Sequence, residues 1–528
     1  MKRFKISKIE FIISALCIFA NILAFYCDES INLGTRRLAF ALLISTILAY
    51  PLGLLLSKLW VLIDKLFSYK SMDLGKESFR QKKYLLLSGI LMLVVWFPTY
   101  LAFYPGLFTN DVVTQLSQSL GSYNTHHPLL HTLILKAFAA FGTMLGDINI
   151  GVAVFCLAQL VALDIVVVMS LKVLLEFNAG KIYYSLATIF YAFLPVFPIL
   201  GITTTKDVPF TMCFTLYLIS IVRLIKKSDD LKLSKEYILV IIFGVLSMLF
   251  RHNATVVILA VDIILILQYR KTNLKKALKY CFVVTLISYM VINSVLVAVT
   301  AAKTDGNHNE MLSVPYQQLS RVYVYKYDEL SEEEKNEILR YIPLAGTYDP
   351  ILSDLLKKDA LADEDISGFA KLYIKLLVRY PYEYLESFIW NTMGYWYIGD
   401  TTAARTYERS STSGTVGYMY LYMWQELGVK LDSKLPTLRD WYIDMFAANK
   451  YLSIPGYRYL FVFATYLWTI ILAHVNCLAR RKTKYVSIYA AIELLFFTLL
   501  FGPCTSLRYA FPLFMCMPFC IAIKCKTE

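Results

Sequence analysis

Two aspartates, two arginines and a lysine stand at the ends of apolar blocks, where isolated charges are costly unless they are used. The first stretch reads Tyr104-Pro105-Gly106-Leu107-Phe108-Thr109-Asn110-Asp111, then Gln115, then Asn124-Thr125-His126-His127-Pro128. Asp111 is the only acid between Glu77 and Asp147, and Leu107, Phe108, Val112 and Val113 flank it. A carboxylate so placed suits general-base work. Thr205-Lys206-Asp207-Val208-Pro209 forms a tight turn between two apolar blocks. Arg251-His252-Asn253 interrupts a third block, and Pro503-Cys504-Thr505-Ser506-Leu507-Arg508-Tyr509 makes the last turn. An arginine at a membrane boundary needs a carboxylate, a phosphate or a lipid headgroup, and its planar fork suits phosphate best. His126 and His127 fit hydrogen bonding or substrate positioning better than metal ligation, since a lone HH pair lacks ligand spacing. Asn253-Ala254-Thr255 has the form of a glycosylation sequon, but a helix turn at the membrane argues against that use.

The elements that must position these groups are membrane helices. Of 528 residues 58% are hydrophobic and 17% charged, and the apolar residues fall into blocks. The blocks are near 9–27, 38–57, 84–104, 128–145, 149–171, 182–202, 208–225, 237–250, 254–268, 280–300, 458–478, 485–501 and 506–523. Most match the roughly 17–25 residues that cross a bilayer, and no period-2 alternation is sustained. The formal charge of +13 comes from Lys and Arg in short loops, so it sets orientation and does not mark nucleic acid.

Lys58, Lys65, Lys70, Lys76, Arg80, Lys82 and Lys83 place the loop before 84 inside, with Lys2, Arg3 and Lys5. Lys226, Lys227, Lys232 and Lys235, then Arg270 to Lys279, then Arg480, Arg481, Lys482 and Lys484, mark further inner loops. Lys524 and Lys526 put the C-terminus inside. This parity holds only if 128–145 lies on the outer leaflet without crossing, which leaves about twelve spans. Arg36 and Arg37 then fall outside, against more than about twenty inner charges. Met1-Lys2-Arg3-Phe4-Lys5 resembles a signal-peptide start, but no A-x-A site follows 9–27, so a retained span is expected.

Outside lie 105–148, 203–207 and 301–457, and the last is the one sizeable polar segment. Ser331-Glu332-Glu333-Glu334 predicts a capped helix start there. Its aromatics Trp390, Tyr395, Trp396, Tyr397, Trp424 and Trp441 are expected in a core or at the lipid interface. Cys17, Cys156, Cys213, Cys281, Cys477, Cys516 and Cys520 lie inside apolar blocks and read as small buried residues. Asp164, Asp262 and Glu493 are acids within spans, expected to pair with polar groups of the bundle.

The order of these motifs resembles the C-type (GT-C) superfamily of membrane glycosyltransferases, which includes protein O-mannosyltransferases and lipid A aminoarabinose transferases. It is most similar to a group of uncharacterised bacterial membrane proteins with a Tyr-Pro-Gly…Asp…Gln…His-His-Pro pattern. The resemblance covers most of 84–523. It implies an all-α polytopic protein in four parts: a two-span addition at 1–83, a membrane core at 84–300, a mainly helical outer domain at 301–457, and final spans with a cytoplasmic tail at 458–528. It implies Asp111 as catalytic carboxylate and Asp207 as the acid of the second outer loop, with Arg251 and Arg508 on a donor phosphate. Lys206, Asn253, Tyr509, His126, His127 and Gln115 join them as substrate or donor contacts. Many relatives carry paired acids where Asn110 precedes Asp111, so a divalent metal is admitted but not required.

The expectation is therefore sugar transfer on the outer face, from a polyprenyl-phosphate donor to an envelope glycan, lipid or protein, by inverting displacement. The protein would be a multi-pass cell-membrane protein with both termini cytoplasmic. A transporter or flippase of lipid-linked precursors would put its charges near the midplane. A scaffold using 301–457 would leave Asp111 dispensable.

Overall fold

The computed structural model describes residues 6–69, 78–118, 120–227, 235–303, 308–362, 364–399, 428–447 and 450–526. Lys2, Arg3, Lys5, Lys70, Lys76, Lys232 and Trp424 lie outside the described residues.

The chain opens with a helical pair. Helix α1 (Lys8–Asp28) starts at a capping box in which Ser7 and Glu10 satisfy each other's backbone amides. Helix α2 (Thr35–Ser68) runs through Pro51 and is much longer than the 38–57 block. Its extension stays docked because Trp60 and Phe67 are buried and Asp64 takes up Lys524 (2.8 Å) and Arg480 (3.2 Å).

The bundle follows. Helix α3 (Ser78–Ala102) leads to a two-residue strand β1 (Leu107–Phe108) and the short α4 (Asn110–Ser117). Helix α5 (Leu129–Met144) turns back through Gly146 onto α6 (Ile148–Glu176). His131 and Phe138 both meet Phe155, and Gly142 lies against Gly151, so α5 packs along the first turns of α6. A Cβ on Gly151 would stand 2.0 Å from the Phe138 carbonyl oxygen, which is why two glycines face each other.

The 182–202 block is not one helix. It divides into α7 (Lys181–Phe193) and α8 (Val196–Gly201), because Leu194 precedes Pro195 and takes the extended backbone that a following proline favours. Strand β2 (Thr203–Thr204) pairs in parallel with β1, a two-stranded sheet among described residues that are mainly helical. Helices α9 (Asp207–Lys226), α10 (Lys235–Phe250), α11 (Ala254–Gln268) and α12 (Leu274–Thr300) complete this part of the bundle.

A separate cluster of buried apolar residues joins α13 (Ser313–Tyr325), α14 (Glu332–Tyr341), α15 (Ile366–Arg379) and α16 (Pro381–Thr392), with Tyr316, Phe369 and Tyr384 at its centre. The predicted cap is present: Ser331 and Glu334 close a capping box on α14. Tyr395 and Tyr397 are buried, and Trp390 and Trp396 pack with the α1–α2 tip. Trp441, on α17 (Pro436–Tyr442), is 46% exposed and sits edge-on to Tyr442. Helices α18 (Phe463–Ala479), α19 (Val486–Leu499) and α20 (Leu507–Lys526) return the chain to the bundle. All ten cysteines are free, and nine are buried.

Seven helices among the described residues are long and apolar enough to cross a membrane, namely α1, α2, α3, α6, α9, α12 and α20. Four further apolar helices, α5, α11, α18 and α19, are shorter. On α12 Val283, Ile287, Met290, Val291 and Val295 are all exposed, a stripe that water would penalise and lipid accepts. The protein is read as membrane-spanning on these grounds.

The bundle is polar at its two ends in different ways. Helices α9, α11 and α20 start beside Asp207, Asn253 and Arg508 and end beside Lys226, Tyr269 and Lys524. At the latter end Arg223 meets Glu176 at 3.0 Å, and Gln268 donates to the Thr483 carbonyl at 2.8 Å. The basic turns used in the charge argument therefore gather at one end, and the isolated charges gather at the other.

Candidate functional site

Two turns are tied together before any side chain is placed. Leu107 pairs with Thr203 and Phe108 with Thr204. The Leu107 amide donates to the Ile202 carbonyl at 2.9 Å, and Thr204 Oγ1 donates to the Leu107 carbonyl at 2.9 Å. From α6, Gln159 Nε2 donates to the carbonyls of Gly201 (2.9 Å) and Thr203 (2.8 Å). Gly106 makes the approach feasible: its φ is +151°, and a Cβ there would lie 2.2 Å from Cys156 Sγ. Asp111 follows β1 by three residues, and Lys206 and Asp207 follow β2 by two and three, so this backbone pairing brings the two motifs to one place.

The five charges then interlock. Arg508 Nη1 donates to Asp111 Oδ2 at 2.8 Å, while its Nε lies 3.5 Å from Asp207 Oδ2. Arg251 Nη1 donates to Asp207 Oδ1 at 2.6 Å. Lys206 Nζ reaches Asp111 Oδ2 at 3.1 Å and donates to His127 Nδ1 at 3.0 Å. Thr205 Oγ1 donates to Asp207 Oδ2 at 3.0 Å, and Asp207 stands in the first turn of α9, where the helix dipole favours an anion. Tyr509 lies between the two arginines, with the Arg251 guanidinium 4.5 Å and the Arg508 guanidinium 4.8 Å from its ring centre. Asn253 accepts from Arg251 Nε at 2.9 Å and donates to Thr498 Oγ1 at 2.8 Å, which fixes the Arg251 plane.

The two acids differ in access. The Asp207 side chain is 1% exposed, and that of Asp111 is 19% exposed. Asp207 therefore anchors two arginines from within, and Asp111 is the carboxylate a ligand can reach. Burial alone would push the Asp111 carboxyl up, but Arg508, Lys206 and His127 together hold it well below the usual carboxylate range. Burial, with help from Lys206, pushes His127 down to about 3, so it is neutral and accepts from the lysine. Three cations face two carboxylates, which leaves an excess positive charge suited to an anionic ligand.

Residues 118–528 match a family described as a family of unknown function (DUF6020). The chain belongs to that family. No curated protein matches it, and no solved structure does. The DUF6020 segment contains Lys206, Asp207, Arg251 and Arg508, whereas Asp111 lies seven residues before its start. It begins inside the 84–300 stretch read as membrane core, so α3 and β1 precede it.

Not every expected contact belongs to the cluster. Gln115 is fully buried, where it donates to Thr132 at 2.9 Å and meets His131 Nδ1 at 3.2 Å. These bonds hold α4 on α5, and no bond from Gln115 to the charged groups is among them. His126 is exposed, and its ring packs edge-on against that of His127. Thr205, Thr498 and Gln159 act in the site without having been expected there. A threonine two residues before an acid is a readable local turn contact, hydroxyl to carboxylate. Nothing in the sequence marks Thr498, which arrives from a distant helix.

Among the described residues no group of three or more His, Cys, Asp or Glu could hold a metal ion. Arg508 already occupies the position between Asp111 and Asp207 that a bridging cation would take. Within the spans, Asp262 accepts from the Tyr217 hydroxyl at 2.6 Å and Glu493 meets His474 at 2.9 Å. Asp164 is buried against Gly89 of α3.

Proposed function

We propose that the DUF6020 chain transfers a sugar from a polyprenyl-phosphate donor to an envelope acceptor on the non-cytoplasmic face. The observation that carries this reading is the accessible Asp111, held by Arg508 and Lys206 and linked through Arg508 to a buried Asp207. The basic turns at the far end of the bundle support a cytoplasmic position for that end by the positive-inside rule, and with it an outer position for the site. About twelve spans, with α5 lying along the outer surface, satisfy the parity. Nucleotide sugars are cytoplasmic, so a lipid-carried donor is the chemistry that supplies sugar to an outer, membrane-level site.

In the reaction the donor phosphate competes with Asp111 for Arg508 and Lys206, and Arg251 adds a third positive group. Phosphate binding releases the carboxylate from its ion pairs and restores its basicity. The acceptor hydroxyl attacks sugar C1 from the face opposite the phosphate, and its proton passes to Asp111. The C1–O bond to phosphate breaks, and the electron pair leaves on a phosphate oxygen that the cations stabilise. A single displacement inverts the configuration at C1.

The test is Asp111→Asn in the purified full chain, assayed with short-chain polyprenyl-phosphate hexoses and an envelope extract as acceptor. Removing the base lowers transfer by about 10²–10⁴. Full transfer by the variant overturns the assignment.

A further inference from the structure

A groove of about 390 Å³ lies between α3 and α7, at the end of the bundle where the basic turns meet. Its rim carries Tyr84 and Lys181, and its walls carry Leu87, Leu91 and Ile189, all exposed on the lipid-facing side. Its floor is polar: Ser88 Oγ lies 2.9 Å from the Tyr184 hydroxyl and 3.5 Å from Thr188 Oγ1, and all three residues are buried. Lys82 and Lys83 stand just before Tyr84 on α3 and are exposed. Among the described residues neither they nor Lys181 have a carboxylate partner. Arg223, Arg480 and Lys524 at the same end are each paired.

We infer that this groove is a binding site for one anionic phospholipid from the leaflet on the side of the basic turns. Lys181 at the rim, without a carboxylate partner among the described residues, matches a headgroup with net negative charge, and a zwitterionic headgroup would leave it uncompensated. The floor hydroxyls offer donors and acceptors at the depth of a glycerol backbone. From Tyr84 to Leu91 the wall runs about 10 Å along the helix, enough for the backbone and the first methylenes of a chain. The open side lets the rest of the chains continue into the bilayer. The groove lies at the opposite end of α3 from Asp111, so this inference does not rest on the sugar-transfer reading.

The experiment uses the delipidated full chain in detergent, with native mass spectrometry to count retained lipids. Phosphatidylglycerol, phosphatidylcholine and free glycerol phosphate are added separately. The parent chain retains phosphatidylglycerol selectively. Lys181→Glu lowers that retention at least about fivefold, the electrostatic worth of one lysine at an anionic surface. Ser185→Trp, at an exposed position on the groove wall, excludes the lipid by bulk while leaving every charge in place. Equal retention of phosphatidylcholine, or undiminished phosphatidylglycerol in both variants, overturns the site. Binding of glycerol phosphate as strong as that of the lipid overturns the lipid as occupant.

Discussion

Lys206 donates to His127 Nδ1 at 3.0 Å, a bond that requires the imidazole to be unprotonated at that nitrogen. The same ammonium reaches Asp111 at 3.1 Å, so one lysine links the carboxylate to a neutral histidine. A charged His127 would face Lys206 directly and break both contacts.

The pH consequence has a definite sign. His127 is held down to about 3 when folded, against about 6.5 for a free imidazole. Below about pH 6.5 the unfolded chain therefore binds the proton and the folded chain does not, so stability falls from there toward pH 3. Asp111, depressed by Arg508 and Lys206, adds a loss that begins only near its unfolded value of about 3.9. Thermal unfolding of the parent and of His127→Asn should diverge above pH 6.5 least in slope and most between pH 6.5 and 4. Parallel curves across that window would show that His127 does not titrate this way.

Asp207 and Asp111 should separate into stability and rate. Asp207 is buried with Arg251 at 2.6 Å and Arg508 at 3.5 Å, so Asp207→Ala leaves the Arg251 guanidinium without its counter-charge and Arg508 with Asp111 alone. Breaking a buried pair in this way costs about 3–5 kcal/mol. Asp111→Asn keeps shape and hydrogen bonding at a position that is partly open, so its expected loss lies in transfer rate. Melting curves of the two purified variants decide it, and a larger destabilisation by Asp111→Asn would reverse the assignment of roles.

Arg508→Lys should behave as a severe change. Only a guanidinium can place one nitrogen on Asp111 and another on Asp207 while stacking on Tyr509. The expected loss of transfer is about 10²–10³, the scale for removing one preorganised donor from a developing charge. Because this arginine fills the position between the carboxylates, incubation with a chelator should leave the parent's activity unchanged. Loss of activity on chelation, restored by a divalent ion, would remove Arg508 from that role.

Much of this site was legible because isolated charges in apolar sequence have few ways to be tolerated. Asp111, Lys206, Asp207, Arg251 and Arg508 were visible from type and place alone, and loop charge put them at one end. The bonds of Gln115 to Thr132 and His131 were not legible, because a buried glutamine and a ligand contact look alike in sequence. The division of 182–202 was readable in Leu194-Pro195, but the hydrophobic run obscured it. The extension of α2 beyond residue 57 depends on Asp64 finding Lys524, a partner 460 residues away that no local pattern announces. Pairing of β1 with β2 was likewise out of reach, since two residues carry no periodicity.

Gly106 tests whether that short pairing positions Asp111. Its φ of +151° is open to glycine and costly for other residues, and a Cβ would stand 2.2 Å from Cys156 Sγ and 3.2 Å from the Ile202 carbonyl oxygen. Gly106→Ala must therefore shift β1 away from β2, at an expected cost of about 1–3 kcal/mol in stability. The displacement carries Asp111 with it, so transfer falls more than the melting temperature alone would predict. Cys156→Ala in the same chain removes the sulfur from the clash but leaves the backbone conformation unfavourable, so it restores part of the loss. Full recovery in the double variant would assign the whole effect to the sulfur contact. No recovery would assign it to the backbone. Retained activity in Gly106→Ala alone would mean that Asp111 is placed by its ion pairs to Arg508 and Lys206, without help from the strand pair.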